Sequence, residues 1–233
     1  MTICLFLCFR NESHPLARIS AEDRSRCIEI VRTTPRLARA LAYEPERASD
    51  PYLNDGAPPQ FGLQLYFTGI ADLEAALAPA GHLQALAASE TFASLAGTSV
   101  TQQAMLARDF PVPDRTSKSS AGAAQCSYLV SYEGSAEDLN TWLHHYITRH
   151  PPIMARFPGI REIEVCTRID WCGFLPWPRV NHMLRNKVVF DAATSLTAAL
   201  NSSVRSEMRA DYEAFPPFTG PVTHYPVATF VVR

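Results

Sequence analysis

The sequence predicts an α+β fold in which one βαββαβ unit is written twice. The two copies are expected to close against each other as one pseudo-symmetric, barrel-like sandwich with the helices outside. Three observations carry this expectation. Leu5-Phe-Leu-Cys-Phe9 lines up with Tyr128-Leu-Val-Ser-Tyr132, and residues 67–77 (FTGIADLEAAL) line up with residues 190–200 (FDAATSLTAAL) at the same offset. Between these blocks Ser20-Ala-Glu-Asp23 recurs as Ser135-Ala-Glu-Asp138, at a shorter offset. Both halves then read strand, helix, strand, strand, helix, strand, and a repeat of this kind marks a supersecondary unit that needs a neighbour to bury its open face.

Each element has a local reason. Residues 3–9 form an apolar run with β-type flanks, the pattern of a buried strand. Ser20 and Asp23 form a capping box for a first helix, continued by Cys27, Ile28 and Val31 at helical spacing. A short strand is expected around 41–44, a turn-rich loop over 46–60, and a strand at 61–67. The second helix is expected over about 70–89, rich in Ala and Leu, with Pro79 and Gly81 as possible breaks. A strand near 100–106 closes the unit. Residues 111–124 (PVPDRTSKSSAGAA) have the composition of a flexible linker. The domains are therefore expected at 1–110 and 125–233. In the second half the same reasoning gives a strand at 127–132, a helix at 136–149, a strand at 160–168, a long loop, a strand at 187–190, a helix at about 193–214 and a strand at 228–232.

Composition bounds the function. The chain has 233 residues, 47% of them hydrophobic, with a formal net charge of −2. That balance offers no electrostatic footprint for nucleic acid or an anionic membrane. The N-terminal MTICLFLCFRNE lacks a basic n-region and is far shorter than the roughly 20 apolar residues of a membrane span, so it reads as a strand. Six cysteines without a C-x-x-C pair argue against a disulfide framework, and reduced thiols in a cytoplasmic protein are expected. The expected partner is a small hydrophobic molecule, and the chain is expected as a monomer or a homodimer.

The chemistry concentrates in residues 135–160. Trp142, Tyr146 and His150 recur every fourth residue, so they share one helix face. Pro151 and Pro152 are expected to end the helix at His150, since a residue before proline avoids the αR region. A histidine there would sit at the negative end of the helix dipole. It is either a cap or a functional group. The first half repeats this segment as Arg32-Thr-Thr-Pro-Arg-Leu-Ala-Arg39, with Thr33 where His150 stands. The duplication is thus chemically asymmetric, and any site of this type belongs to the second half.

The run W-x3-Y-x3-H-P-P-I-x-A-R-x-P-G, with its following strand, resembles the EthD-like family of the dimeric α+β barrel superfamily. Trp142, Tyr146, His150, Pro152, Pro158 and Gly159 fit its pattern, and Asp211 with Phe215 resemble the Asp-x3-Phe after its second helix. The resemblance implies two tandem ferredoxin-like repeats forming a pseudo-dimeric α+β barrel. It also implies an apolar pocket between sheet and helices, with a histidine or tyrosine near the substrate. Members include proteins linked to aromatic-compound catabolism, cyclases, lactone isomerases, cofactor-free oxygenases and haem enzymes. On this footing His150 is the expected general acid/base, Tyr146 or His224 would position or polarise the substrate oxygen, and Asp211 could orient an imidazole. Trp142, Trp171, Trp177 and His182 are the candidate substrate contacts. The apolar loop around Trp171, Phe174, Leu175 and Trp177 either closes over the barrel mouth as a lid or packs on the surface. No pair of histidines has metal-ligand spacing on one element, so no metal is expected, and no cofactor is required. Haem or ligand binding without conversion, and a purely structural role, are the alternatives.

Overall fold

In a computed structural model the two halves interlock as a single closed barrel of eight antiparallel strands, in the order β1-β3-β2-β8-β5-β7-β6-β4. The structure describes residues 2–88, 92–117 and 123–233. The strands are β1 (Thr2–Arg10), β2 (Arg39–Pro45), β3 (Phe61–Phe67), β4 (Ser99–Phe110), β5 (Gln125–Tyr132), β6 (Ile160–Arg168), β7 (Leu184–Phe190) and β8 (Val222–Val231). The helices are α1 (Ala21–Arg32), α2 (Ile70–Leu77), α3 (Leu139–Met154), α4 (Ala193–Leu200) and α5 (Ser203–Glu213). Each half contributes four adjacent strands in the same order, and the seams are β2 against β8 and β4 against β6. The predicted linker falls partly outside the described residues; β4 ends at Phe110 and β5 begins at Gln125. No helix among the described residues is long and apolar enough to cross a membrane.

Strand alternation divides the protein into three apolar zones. On β1, Ile3, Leu5, Leu7 and Phe9 face the helices of the first half, whereas Cys4 and Phe6 face the barrel interior with Tyr43, Tyr66 and Met105. On β5, Tyr128, Val130 and Tyr132 face the helices of the second half. All six cysteines are free, with Cys4 and Cys166 Sγ 3.7 Å apart inside the barrel.

The interior also holds a polar knot. Lys187 is 1% exposed, and its Nζ lies 2.9 Å from Glu162 Oε1 and 3.5 Å from Glu164 Oε1. It also donates to Tyr66 Oη at 2.8 Å. Gln64 and Tyr66 donate to Glu164, and Arg39 pairs with Glu162. Burial works against the ammonium, but the facing carboxylates of Glu164 and Glu162 overturn this and push the Lys187 pKa up. Burial opposes the Glu162 carboxylate too, yet Lys187 and Arg39 hold it down at about 2.

Several predicted boundaries move, each for a physical reason. The α1 cap forms as expected at Ser20, whose Oγ accepts from Asp23 N at 3.1 Å. The Asp23 carboxylate, however, accepts from Ser94, whose Oγ in turn accepts from Ser20 N, so the box closes through a third residue. The second helix ends at Leu77, and Gln84 Nε2 donates to the freed carbonyls of Leu77 and Ala78. Its predicted end at Ser89 lies outside the described residues. The predicted helix at 193–214 is two helices, divided at Asn201 and Ser202.

The main correction concerns α3. Asp138, not Ser135, caps it, accepting from Asn140 N and Thr141 N. Its C-terminus is not at His150: the helix continues through Pro151 and Pro152 to Met154. Proline costs the helix two backbone donors. Burial of His150, Pro151 and Met154 against the second-half core favours the continued turn. Gly159, at φ 77°, then makes the left-handed turn into β6 that a Cβ would strain.

Candidate functional site

His150 projects from α3 into the layer between helices and sheet, where it is 4% exposed. It sits one turn before the end of α3, and its partner is a side chain rather than the helix's terminal carbonyls. Nδ1 lies 2.7 Å from Asp211 Oδ2 on α5. The other oxygen of that carboxylate is 3.2 Å from His145 Nε2. An Asp behind Nδ1 fixes the Nδ1–H tautomer and leaves Nε2 as the lone-pair nitrogen. Nε2 has no hydrogen-bond partner among the described residues. Tyr146 packs on the ring at 4.8 Å and Phe215 meets it edge-on at 5.0 Å.

The ring forms part of the wall of a cavity of about 330 Å³, bounded by β5, β7 and β8 on one side and α3, α4 and α5 on the other. Most of the wall is apolar, including Met154, Phe157, Val188 and Leu196. Its polar groups are His150, His224, Tyr128, Tyr132, Asn186 and Arg205, with Arg209 and Tyr212 also present. His224 on β8 repeats the first dyad's logic: its Nδ1 lies 2.8 Å from Asp55 Oδ2, and its backbone N donates to the same oxygen at 2.7 Å. Arg205 pairs with Asp50 at 3.0 Å, and Tyr128 Oη donates to Asp50 at 3.0 Å. Two histidines, each backed by a carboxylate, thus face one apolar pocket beside a fixed cation.

Electrostatics favours neutral imidazoles here. Burial lowers the pKa of His150, opposed by Asp211, and burial likewise lowers that of His224 against Asp55. Asp211 is held below the usual carboxylate range: burial would raise it, but the hydrogen bonds and charge of His150 and His145 prevail. His182, elsewhere in the barrel, is lowered to about 3 by burial and by Arg185. The unfolded chain therefore takes up protons on these histidines below about pH 6.5, where the native protein does not. Stability falls as pH falls through that window. The melting temperature should drop between pH 7.5 and 5.5, before the carboxylates titrate. An unchanged or rising value would contradict the buried, neutral histidines.

Other expected site residues are distributed differently. Asp211 and His150 meet as the motif implied, and His224 joins the same pocket. Tyr146 stands behind His150, its Oη accepting from Asn186 Nδ2, and does not line the cavity. Trp142 does not line the cavity: it is fully buried, stacked on Tyr146 at 5.2 Å and wedged against Phe215 and Phe218. Trp171 and Trp177 also leave the site. Their loop packs on the helix-side core of the first half, with Trp177 edge-on to Phe9 at 5.6 Å. Gln102 Nε2 pins it by donating to the carbonyls of Leu175 and Trp177. An apolar loop needs cover, and this core supplies it. His182 faces a second cavity inside the barrel.

Four contributors had no local signal. Asp50 and Asp55 belong to the first-half loop 46–60, which crosses the β2–β8 seam to reach the second-half pocket. Arg205 and Asn186 look in the sequence like an ordinary helix-surface arginine and a strand asparagine. The turn-rich Asn54-Asp55-Gly56 pointed to a loop, not to its destination.

Fold and site together define a dimeric α+β barrel in which a single chain supplies both halves. The closed α+β barrel that the sequence resemblance implied is the fold observed. No protein-family model and no curated protein sequence matches the chain. Among solved structures it is similar to an anthrone oxidase-like protein, with a TM-score of 0.62 and 10% identity over 99% of this chain and 93% of that one. It is also similar to a proposed monooxygenase from Fusobacterium nucleatum, with a TM-score of 0.57 and 7% identity over 99% and 93%. A chlorite dismutase mutant from Candidatus Nitrospira defluvii superposes with a TM-score of 0.50 and 10% identity over 97% and 91%. At these identities the likeness establishes the fold.

Proposed function

We propose that this chain is an enzyme that moves protons on a small aromatic or otherwise hydrophobic carbonyl compound, with His150 as the base and no obligatory cofactor. The observation that carries this reading is the His150–Asp211 pair, buried at the wall of an apolar pocket with Nδ1 engaged and Nε2 unpartnered. In that tautomer Nε2 accepts a proton from an acidic C–H or O–H, and Asp211 stabilises the imidazolium that forms. Charge developing on the substrate oxygen is then met by Arg205, whose position is set by Asp50. His224, oriented by Asp55, is the second acid/base group in the pocket. Proton removal beside a carbonyl is the shared first step of isomerisation, cyclisation and cofactor-free oxygenation. The name of the anthrone oxidase-like neighbour agrees with an aromatic substrate.

The test uses a carbon acid of this class. Anthrone incubated in D2O should exchange its acidic C–H faster with the wild-type protein than in buffer, read by NMR. Wild-type exchange rates in folded His150→Ala would overturn the reading.

Haem is the other group the resemblance raises. A histidine with a carboxylate behind it matches the chemistry of an axial ligand. The macrocycle nevertheless exceeds a cavity of about 330 Å³ walled by Met154, Leu196, Leu200 and Tyr212. Haemin added to the purified protein should therefore give no bound Soret band. A band that appears with wild type and vanishes in His150→Ala would reassign the site.

A further inference from the structure

The strands that wall the His150 pocket have a second cavity on their other face. On β5, Tyr128, Val130 and Tyr132 face the helices, while Leu129, Ser131 and Glu133 at its end line a cavity of about 510 Å³ inside the barrel. On β8 the same alternation separates Val222 and His224 from Thr223 and Tyr225, and on β7 it separates Asn186 from Arg185. The two cavities are thus divided by the sheet itself, and this inference does not rest on the function proposed for His150.

The second cavity holds an uncompensated cation. Arg185 makes no salt bridge or hydrogen bond among the described residues, and its Nε is fully buried without a partner. Its guanidinium lies over the Phe6 ring at 4.8 Å. His182, on the neighbouring wall, has a buried Nδ1 that also lacks a partner. Its backbone is clamped by Gln103, which donates to His182 O and accepts from His182 N, so the ring is held in place. Arg10 adds a second positive charge, stacked over Tyr225 at 5.0 Å and donating to Ala57 O. The sole carboxylate among the lining residues, Glu133, is exposed at the rim.

A half-buried guanidinium with no carboxylate in contact is unfavourable, and so is a buried nitrogen without a partner. Neither cost is met by the described side chains. The rest of the wall combines apolar residues, including Phe6, Leu129 and Val227, with Thr101, Ser131, Asn181 and Thr223, and the volume is within the range of small-molecule pockets. Burial and the nearby Arg185 keep His182 neutral, so it adds no further positive charge beside the guanidinium.

We infer that the barrel interior is a binding site for a small apolar monocarboxylic acid, its carboxylate held by the terminal nitrogens of Arg185 and its hydrocarbon part lying against Phe6 and Leu129. The charge balance favours a monoanion, because two arginines face one rim carboxylate.

The test is calorimetric titration of the full chain with 2-naphthoate, with the neutral 2-naphthamide as comparison. Naphthoate should bind about tenfold or more tightly than the amide, since hydrogen bonds to a charged partner are lost with it. Arg185→Met should remove that preference while anthrone exchange at the other pocket continues at the wild-type rate. If Arg185→Met does not fold, Arg185→Lys, which keeps the charge but lacks the planar pair of terminal N–H groups, should still weaken naphthoate relative to wild type. Equal binding of acid and amide, or undiminished naphthoate affinity in the Arg185 variant, would overturn the inference. So would competition by naphthoate for anthrone exchange, because that would place the anion in the first pocket.

Discussion

His150→Ala should slow deuterium exchange at the acidic carbon of anthrone by about 10²–10⁴-fold, the usual contribution of a positioned general base. The protein should remain folded, because the imidazole is a half-satisfied polar group at a cavity wall rather than a core filler. Asp211→Asn is the more informative partner. An amide oxygen still accepts from Nδ1–H, so the tautomer is retained, but the negative charge that raises the His150 pKa is gone. The acid limb of the pH–rate profile should therefore move to lower pH, and the plateau rate should fall because a weaker base is doing the work. A variant that lost activity with no movement of the acid limb would mean Asp211 acts only through folding. Arg205 is a separate case, since it faces the substrate oxygen and not the proton. Its loss should reduce exchange without shifting the His150 titration.

The second large effect concerns the barrel interior. Lys187→Met should cost about 3–5 kcal/mol in unfolding free energy, the range for breaking a buried ion pair by removing one partner. The cost arises because Glu164, 2% exposed, loses the ammonium 3.5 Å away, and Glu162 loses one of its two cations. Denaturant unfolding measures it directly. Adding Glu164→Gln to Lys187→Met should recover part of the loss, because the uncompensated carboxylate is then removed as well. A cost within the roughly 0–1 kcal/mol typical of exposed pairs would show that water reaches the knot. The same knot explains why Asp109, Glu162 and Glu164, whose carboxylate oxygens lie within 4.8 Å of one another, remain together: Lys187 and Arg39 supply their counter-charge.

The barrel was legible in the sequence because its determinants are local and repeated. Alternating apolar runs such as Ile3–Phe9 and the duplicated FTGIADLEAAL block specify strand and helix wherever they occur. The boundaries that moved are those where distant packing outweighed local preference. His150-Pro151-Pro152 looks like a helix stop, yet burial of that face against the second-half core carries α3 on to Met154. The last strand begins at Val222 rather than at 228, even though Pro226 lies within it. Its carbonyl accepts from Glu46 N just past the end of β2, so the missing N–H falls beyond the paired part of the β2–β8 ladder.

The site was half legible. His150 and Asp211 belong to a motif within one repeat, and His224 lies on a strand of the same repeat, so the order of elements brings them together. Asp50 and Asp55 come from the other repeat, and nothing in the loop 46–60 says that it crosses the seam. The tryptophans misdirected for a related reason. An aromatic spacing shows that a face is buried, but not whether a cavity or a neighbouring ring covers it. Trp142 meets Tyr146, Phe215 and Phe218, and no space is left for a ligand.

The asymmetry between repeats gains a physical meaning from this arrangement. Thr33, which stands where His150 does, caps α1 by donating its hydroxyl to Glu29 O at 2.8 Å. The first half ends its helix where the second half continues into its site.

The central claim is that His150 is a neutral imidazole at pH 7, protonated on Nδ1 toward Asp211, with its Nε2 lone pair free at the pocket. Nitrogen-15 NMR of the histidine rings reads this state without any assumption about substrate. The expected result is a His150 signal of the Nδ1–H tautomer at pH 7, titrating below the ordinary histidine value and moving further down in Asp211→Asn. An imidazolium at pH 7, or a ring protonated on Nε2, would contradict the assignment of His150 as the base.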